Sequence, residues 1–412
     1  MEITYPRCAG LDVHSATVAV CRRILGPGGE LQEEVRTFGT VTAELISLSD
    51  WLAEGGVTIV AMESTGVFWK PIWNILEGHF EILLVNAKHI KQVPGRKTDV
   101  KDCQWIAQLL HHGLLRGSFV PPSPVREIRD LTRHRAKLVG ERTSVANRIH
   151  KTLEDANLKL GTVASDILGV SGRSMLRALV EGEEDPERLA AMAQGRLRSK
   201  KAQLRLALEG RITPHHRFML ETLLSHLQFL ESQIARLDQR IEELMRPFQE
   251  AVRLLPTIPG VQQRTAENVL AETGFDMSPF PSADHIASWA GICPGNNESA
   301  GKRRSGNTPK GNVWLRRALC EAAWAASRTK NTYLSAMYRR LASRRGKKRA
   351  IVAVAHAILT AIYHMLRRSM TYQDLGPNHF DQLDPQRLTR YLVRRLEKLG
   401  HKVKLEPAEE AA

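Results

Sequence analysis

Apolar and polar positions alternate with different periods in three successive stretches of the chain. Near the N-terminus, β-branched runs at Ala9 to Val13, Thr17 to Arg22 and Val35 to Phe38, with the turn Gly26-Pro27-Gly28-Gly29 between the last two, predict a three-stranded meander. Thr42 is placed to cap a helix running to about Glu54. Val57 to Met62 reads as a buried strand, Trp69 to Glu77 as a helix, Glu81 to Val85 as a strand, and about Thr98 to His111 as a helix. In the middle, Leu220, Leu223, Leu227, Leu230, Ile234, Leu237, Ile241 and Leu244 hold a 3-4 spacing that predicts a coiled-coil seam. Ile128, Leu131, Leu138, Val145 and Ile149 keep the same spacing but put Arg135 and Arg142 on the seam. The two helices can pair as an antiparallel hairpin around the polar, charge-rich segment 160 to 212, or between chains; spacing allows both. Toward the C-terminus, Leu254 to Val261 with its Pro259-Gly260 turn, followed by a helix from Thr265 to Glu272, resembles a helix-hairpin-helix element, although such turns also close ordinary helical hairpins.

The order βββαβαβα in the first stretch is that of a ribonuclease-H-like domain. The expected fold class is therefore α/β plus α: a ribonuclease-H-like domain at 1–125, a coiled-coil region at 126–248, a mainly helical domain at 249–370 and a tail at 371–412.

Length and composition fit this division, since 412 residues with 42% apolar content can bury the cores of two or three domains. Charge changes the picture more. The net charge is +15, and Lys302 to Ala350 holds 15 Lys and Arg against the single acid Glu321, a local excess of +14. Such self-repulsion favours a polyanion as partner over a small metabolite, and nucleic acid is the leading candidate. Trp314, Trp324, Tyr333 and Tyr338 are interleaved with these cations; Trp324, inside Ala322-Ala323-Trp324-Ala325-Ala326, reads as a core residue. Five cysteines without a CxxC pair argue against a disulfide framework or a zinc module and read as reduced and mostly buried. No run approaches the roughly 18 apolar residues of a membrane span, and the start lacks the pattern of a signal peptide, so a cytoplasmic location without membrane contact is expected.

Candidate chemistry lies in both halves. Asp12 follows the apolar run Ala9-Gly10-Leu11, Glu63 follows Ile59-Val60-Ala61-Met62, and Asp99 and Asp102, three apart on a helix, share a face. A lone acid is more often a cap or a solvated group, and Asp99 also suits a helix first turn. Four acids drawn from two strands and a helix nonetheless match what metal-assisted phosphodiester cleavage needs, because hard cations such as Mg²⁺ take oxygen ligands. In the second half, Ser299 and Ser305 sit among glycines, asparagines and cations. A serine is a poor nucleophile unless charge developing on phosphate is neutralised, which Lys302, Arg303 and Arg304 can do. Lys310, Arg316, Arg317, Arg344, Arg345, Lys347 and Lys348 complete the candidate phosphate contacts. The competing reading of the same residues is a flexible Gly/Ser/Asn loop.

Gly10-Leu11-Asp12-Val13-His14, Met62-Glu63-Ser64-Thr65-Gly66, Lys97-Thr98-Asp99-Val100-Lys101-Asp102 and the stretch from Pro294 to Arg317, ending Lys310-Gly311-Asn312-Val313-Trp314-Leu315-Arg316-Arg317, resemble the IS-one-ten family of insertion-sequence transposases. The resemblance runs from Ala9 to about Arg368. It implies a RuvC-like domain whose DEDD tetrad is Asp12, Glu63, Asp99 and Asp102, holding Mg²⁺ or another divalent metal. It also implies a coiled coil and a second transposase domain with a nucleophilic serine, matched by Ser299 in Ser299-Ala300-Gly301-Lys302. Ser305-Gly306 offers a second, direct Ser-Gly pair. Recombination of donor and target DNA, guided by a structured non-coding RNA called the bridge RNA, within a homo-oligomer (dimer or tetramer), is implied as well. The rival reading is a structure-specific, Holliday-junction-type endonuclease that uses only the tetrad.

Overall fold

The computed structural model describes residues 2–64, 66–86, 102–295, 297–299, 302–305 and 307–406, with the side chains of 297–299 and 302–305 excepted. The chain forms two compact units, Met1–Val120 and Pro121–Ala412.

In the first unit the alternating runs build one five-stranded sheet. Strands β1 (Arg7–Val13), β2 (Thr17–Leu25) and β3 (Leu31–Gly39) form the meander; β4 (Ile59–Glu63) and β5 (Glu81–Val85) follow. The order is β3-β2-β1-β4-β5, with β1 antiparallel to β2 and parallel to β4, and β5 parallel to β4. This mixed sheet fits the expected ribonuclease-H-like arrangement. Strands β2 and β3 run further than their apolar residues suggest, because their outer ends are joined by cross-strand ion pairs, Arg22 to Glu34 at 2.7 Å and Arg23 to Glu33 at 2.8 Å.

Strand alternation sends the two faces of the sheet to different helices. Ala9, Leu11, Val13, Val60 and Met62 pack with Leu45, Leu48 and Leu52 of α1 (Thr42–Glu54) and Ile72 and Leu76 of α2 (Trp69–Leu76). Cys8, Ile59, Ala61 and Val85 face Ile106, Leu109 and Leu110 of α3 (Asp102–His111). Val41, not Thr42, occupies the capping position of α1, without a side-chain cap. The beginning of the expected last helix, Thr98 to Lys101, lies outside the described residues.

The second unit opens with the two long helices that carry the heptads, α4 (Ser123–Asp155) and, after a series of shorter helices, α8 (Pro214–Met245). They pair within the chain and antiparallel: Arg142 bonds Glu231 at 2.9 Å, Arg135 bonds Asp238 at 3.0 Å, and His216 meets Asp155 at 3.0 Å. Arg135 is tolerated on the seam because it is almost fully buried yet bonded three times, also to Glu267 at 2.7 Å and Asn268 at 2.9 Å. The segment 160 to 212 is more than a polar connection. It folds into α5 (Val170–Glu181), α6 (Pro186–Ala191) and α7 (Lys201–Ala207), whose Met175, Leu176, Leu189 and Leu204 share a core with Ile149, Leu153, Leu220 and Leu227.

Beyond α8 the unit continues with α9 (Gln263–Thr273), α10 (Ala283–Trp289), a two-stranded hairpin of β6 (Asn297–Ser299) and β7 (Lys302–Ser305), and α11 (Val313–Arg328), α12 (Tyr333–Arg345), α13 (Lys347–Arg368) and α14 (Pro385–Lys398). The turn before α9 brings Gly260, at φ +88°, so close to α11 that a Cβ would stand 2.4 Å from the Ala326 nitrogen. That glycine serves packing. Helix α13 corrects one expectation, since its 22 residues are long and apolar enough to cross a membrane. Here Ile351, Val354, Ala355, Ile358 and Ile362 of α13 are buried in the protein core.

Candidate functional site

The acids of the first unit owe their places to the two parallel strands. Leu11 and Met62 are partners in register, and Asp12 and Glu63 are the next residues along β1 and β4. By alternation they fall on the face of Cys8, Gly10, Ile59 and Ala61, which is the face covered by α3. Helix α3 runs antiparallel to β1: the His111 carbonyl at its end accepts from the Thr4 and Tyr5 amides before β1, while Cys103 at its start lies against Gly10. Asp102, the first residue of α3, is therefore carried toward the ends of the strands that bear Asp12 and Glu63. Ends of parallel strands are where open α/β sheets place ligands. Asp12 also meets His14 at 3.2 Å, a contact that i,i+2 alternation at the strand end could have suggested. Asp99 lies outside the described residues, and among the described residues no group of three or more His, Cys, Asp or Glu stands ready to hold a metal.

Cys8, Cys21 and Cys103 are buried, and burial pushes the Cys8 thiol up to about 12, outweighing the pull of Arg23.

In the second unit the two candidate serines lie on the paired strands β6 and β7. Asn297 faces Ser305 and Ser299 faces Lys302, so Ser299 stands at the turn end and Ser305 at the foot of the hairpin. The Gly295 amide donates to the Asn307 carbonyl at 2.9 Å and closes the foot. Of Lys302, Arg303 and Arg304 only the backbone is described. Behind the hairpin, Asn312 caps α11 by accepting from the Trp314 and Leu315 amides, and its Nδ2 donates to buried Glu272 at 2.6 Å. Arg133 reaches the same carboxylate with two bonds of 2.7 and 2.8 Å. This network anchors the chain after the hairpin to α4 and α9. Glu272 and Arg133 carry no sequence signal, because their pairing spans some 140 residues.

The other cations predicted to meet phosphate differ in their surroundings. Arg317 is held by Glu321 at 2.9 Å, one helical turn on. Arg344, Arg345, Lys347 and Lys348 are exposed around the α12–α13 turn, and Lys310 is exposed before α11. Arg316 is half-buried. Trp324 is not in the core: it is 40% exposed and packs beside Tyr338, with ring centroids 6.0 Å apart.

Residues 9–157 match the family model of DEDD IS110 transposases, and residues 252–339 match that of the IS116/IS110/IS902 transposase family. The transposase for insertion sequence element IS1111A of Coxiella burnetii is 27% identical over 297 residues, 70% of this chain and 72% of the relative. A probable family 20 transposase of Pseudomonas aeruginosa is 27% identical over 322 residues, 76% of this chain and 86% of the relative. The pilin gene-inverting protein of Moraxella bovis is 30% identical over 145 residues, 34% of this chain and 45% of the relative. Two stretches of the chain are thus matched, in order, by transposase models that both name IS110: the chain belongs to the IS110 family of insertion-sequence transposases.

Proposed function

We propose that this transposase cuts and rejoins DNA strands through a covalent serine–phosphate link, that Asp12, Glu63, Asp99 and Asp102 hold a divalent cation, Mg²⁺ by the hardness of its ligands, and that a structured RNA transcribed from the element guides it. The observation that carries the reading is the placement of Asp12 and Glu63 on one face at the ends of neighbouring parallel strands, with α3 bringing Asp102 toward the same end. Oxygen donors alone make up this set, which suits a hard cation. When bound, such a cation supplies charge neutralisation at the attacked phosphate.

The remaining work belongs to the chain's own residues. The Ser299 hydroxyl gives up its proton as Oγ forms a bond to phosphorus, one ester bond of the DNA breaks, and the departing strand oxygen takes up a proton in exchange. Rejoining reverses this: a DNA hydroxyl attacks the phosphoserine and the serine hydroxyl returns. The energy of the broken ester is kept, so no ATP is needed. Nearby cations offset the phosphate charge. The +14 of Lys302 to Ala350 supports contacts with DNA and RNA, and the inverting protein of Moraxella, a relative whose name describes gene inversion, supports recombination as the reaction class. A dimer or tetramer brings donor and target DNA together.

Trapping the reaction in denaturant and mapping the adduct by mass spectrometry tests the mechanism. Wild-type protein should carry DNA on Ser299, and Ser299→Ala should bind nucleic acid yet form neither adduct nor recombinant. An adduct at Ser305 would move the nucleophile along the hairpin. Wild-type cleavage with no adduct on any serine would instead support a Holliday-junction-type nuclease. Sequencing RNA that copurifies with the protein tests guidance, which requires an RNA matching DNA beside its own gene.

A further inference from the structure

A cleft of about 740 Å³ opens in the second unit where α11, the end of α12 and the start of α13 meet. Its inner wall is apolar: Ile292 is buried, and Met337, Val352 and Ala353 are half-buried. Arg316, Arg345, Lys348 and Arg349 stand along it, and among the described residues no carboxylate lines it. Pro294 and Asn307, which also line it, flank β6 and β7, so the cleft lies at the foot of the hairpin that bears Ser299 and Ser305.

A surface that only tracks a phosphate backbone needs charge and no cavity. An apolar wall among cations suits a ligand with one flat apolar part and one anionic part. Duplex DNA hides its base faces by stacking; an unstacked nucleotide offers base and phosphate together. The volume lies within the range of about 300–1,000 Å³ usual for small-ligand pockets. The local electrostatics also call for an anion. Lys347, Lys348 and Arg349 fill the first turn of α13, which contains no acid, although the helix dipole there favours negative charge.

We propose that this cleft takes one unstacked nucleotide from a single-stranded part of the nucleic acid, with the base against Met337, Val352 and Ala353 and its phosphates on Arg316, Arg345, Lys348 and Arg349. The inference rests on the nucleic-acid reading above and gives that reading a discrete binding site. A DNA strand opened for cleavage and an unpaired guide-RNA nucleotide present the same chemistry.

The test compares the full-length protein's affinity for a single strand with its affinity for an all-abasic strand of equal length and charge, in DNA and in RNA. The base-bearing strand should bind about tenfold more tightly, the scale of one stacked base, and the polymer that shows the difference supplies the nucleotide. Ala353→Phe fills the cleft and keeps every cation; it should remove that difference while duplex binding stays within about twofold. Val352→Trp carries the same test should Ala353→Phe lower the melting temperature. Equal affinity of the wild-type protein for both strands in both polymers overturns the proposal, as does a folded, cleft-filled variant that keeps the difference. These readouts involve neither cleavage nor Ser299. Equal affinities beside a normal serine adduct therefore overturn the cleft alone, and a missing adduct beside a clear base dependence overturns the serine mechanism alone.

Discussion

Gly10 of β1 and Ala107 of α3 are in backbone contact: a Cβ on Gly10 would stand 2.3 Å from the Ala107 nitrogen and 2.5 Å from the Cys103 carbonyl oxygen. The missing side chain lets α3 lie flat on the sheet, and this sets the height at which Asp102 approaches the ends of β1 and β4. Gly10→Ala forces backbone against backbone, where no rotamer can relieve the clash. The expected loss is at least about 1–3 kcal/mol, the usual range for overpacking, read as a lower denaturant midpoint with an unchanged slope. Cleavage should fall even below the unfolding transition, because the helix carrying Asp102 is lifted.

Asp12 and Glu63 are predicted to act through charge and not through packing. Asp12→Asn and Glu63→Gln keep shape and should leave the melting temperature within about 2 °C, as for a change of roughly 0.5 kcal/mol or less away from the core. Strand cleavage should fall by more than about a hundredfold, the scale of removing one preorganised electrostatic interaction. Chelation of divalent metal from the wild-type protein should have the same effect. Near-normal cleavage by Asp12→Asn would remove that acid from the site.

Glu231 ties α8 to α4 and α5 through Arg142 at 2.9 Å and Arg173 at 2.6 Å. Burial alone would raise its pKa, but the bonds from the two arginines outweigh burial and hold it below the ordinary 4.5. A depressed folded-state pKa means stability that is present above the unfolded value and is lost as pH falls through the folded one. Wild-type stability should therefore drop below about pH 4.5 more steeply than that of Glu231→Gln, which should already be weaker at pH 7. Parallel acid-unfolding curves for the two proteins would show that this pair contributes nothing measurable.

The sheet is legible in the sequence because strand alternation and a buried apolar run leave few alternatives, and the acids at the ends of its inner strands stand out against apolar neighbours. Other features are not legible, for identifiable reasons. Heptads at Leu220 to Leu244 state which side of a helix is apolar but not what covers it. That the cover is α4 of the same chain depends on the core that Met175, Leu176, Leu189 and Leu204 build inside a segment whose average composition is polar. Trp324 reads as core in the sequence and is not, because apolar neighbours in sequence are not neighbours in space on a helix. At about 100° per residue, Ala322, Ala323 and Ala326 face the core while Trp324 turns outward. The anchoring of Asn312 by Glu272 and Arg133 joins three distant segments, and no local pattern announces such a network.

Leu230 is 2% exposed between α4 and α8, inside one chain. Leu230→Lys buries an ammonium with no acceptor designed for it and removes a core leucine. The expected cost is about 3–5 kcal/mol, comparable to truncating a core leucine, and it should appear as a lower melting temperature. Because the pairing is intramolecular, the mass in solution should not change below the transition. A halved mass with unaltered melting would mean that this seam joins separate chains.

Arg344, Arg345, Lys347 and Lys348 stand exposed around the tight turn at Gly346, within the segment that holds nearly all of the chain's net charge. Solvated cations that repel one another weaken a fold slightly; cations that meet phosphates release counterions when nucleic acid binds. The two cases differ in the slope of log affinity against log salt, which flattens by about 0.9 for each duplex phosphate that the protein no longer neutralises. Replacing all four by Ala should therefore reduce affinity for duplexes of unrelated sequence by similar factors and flatten the slope by up to about 3 to 4. Melting in the absence of nucleic acid should stay the same or rise. An unchanged slope would show that these four charges meet no duplex phosphate and would leave the duplex contacts to Lys302, Arg303, Arg304, Lys310, Arg316 and Arg317.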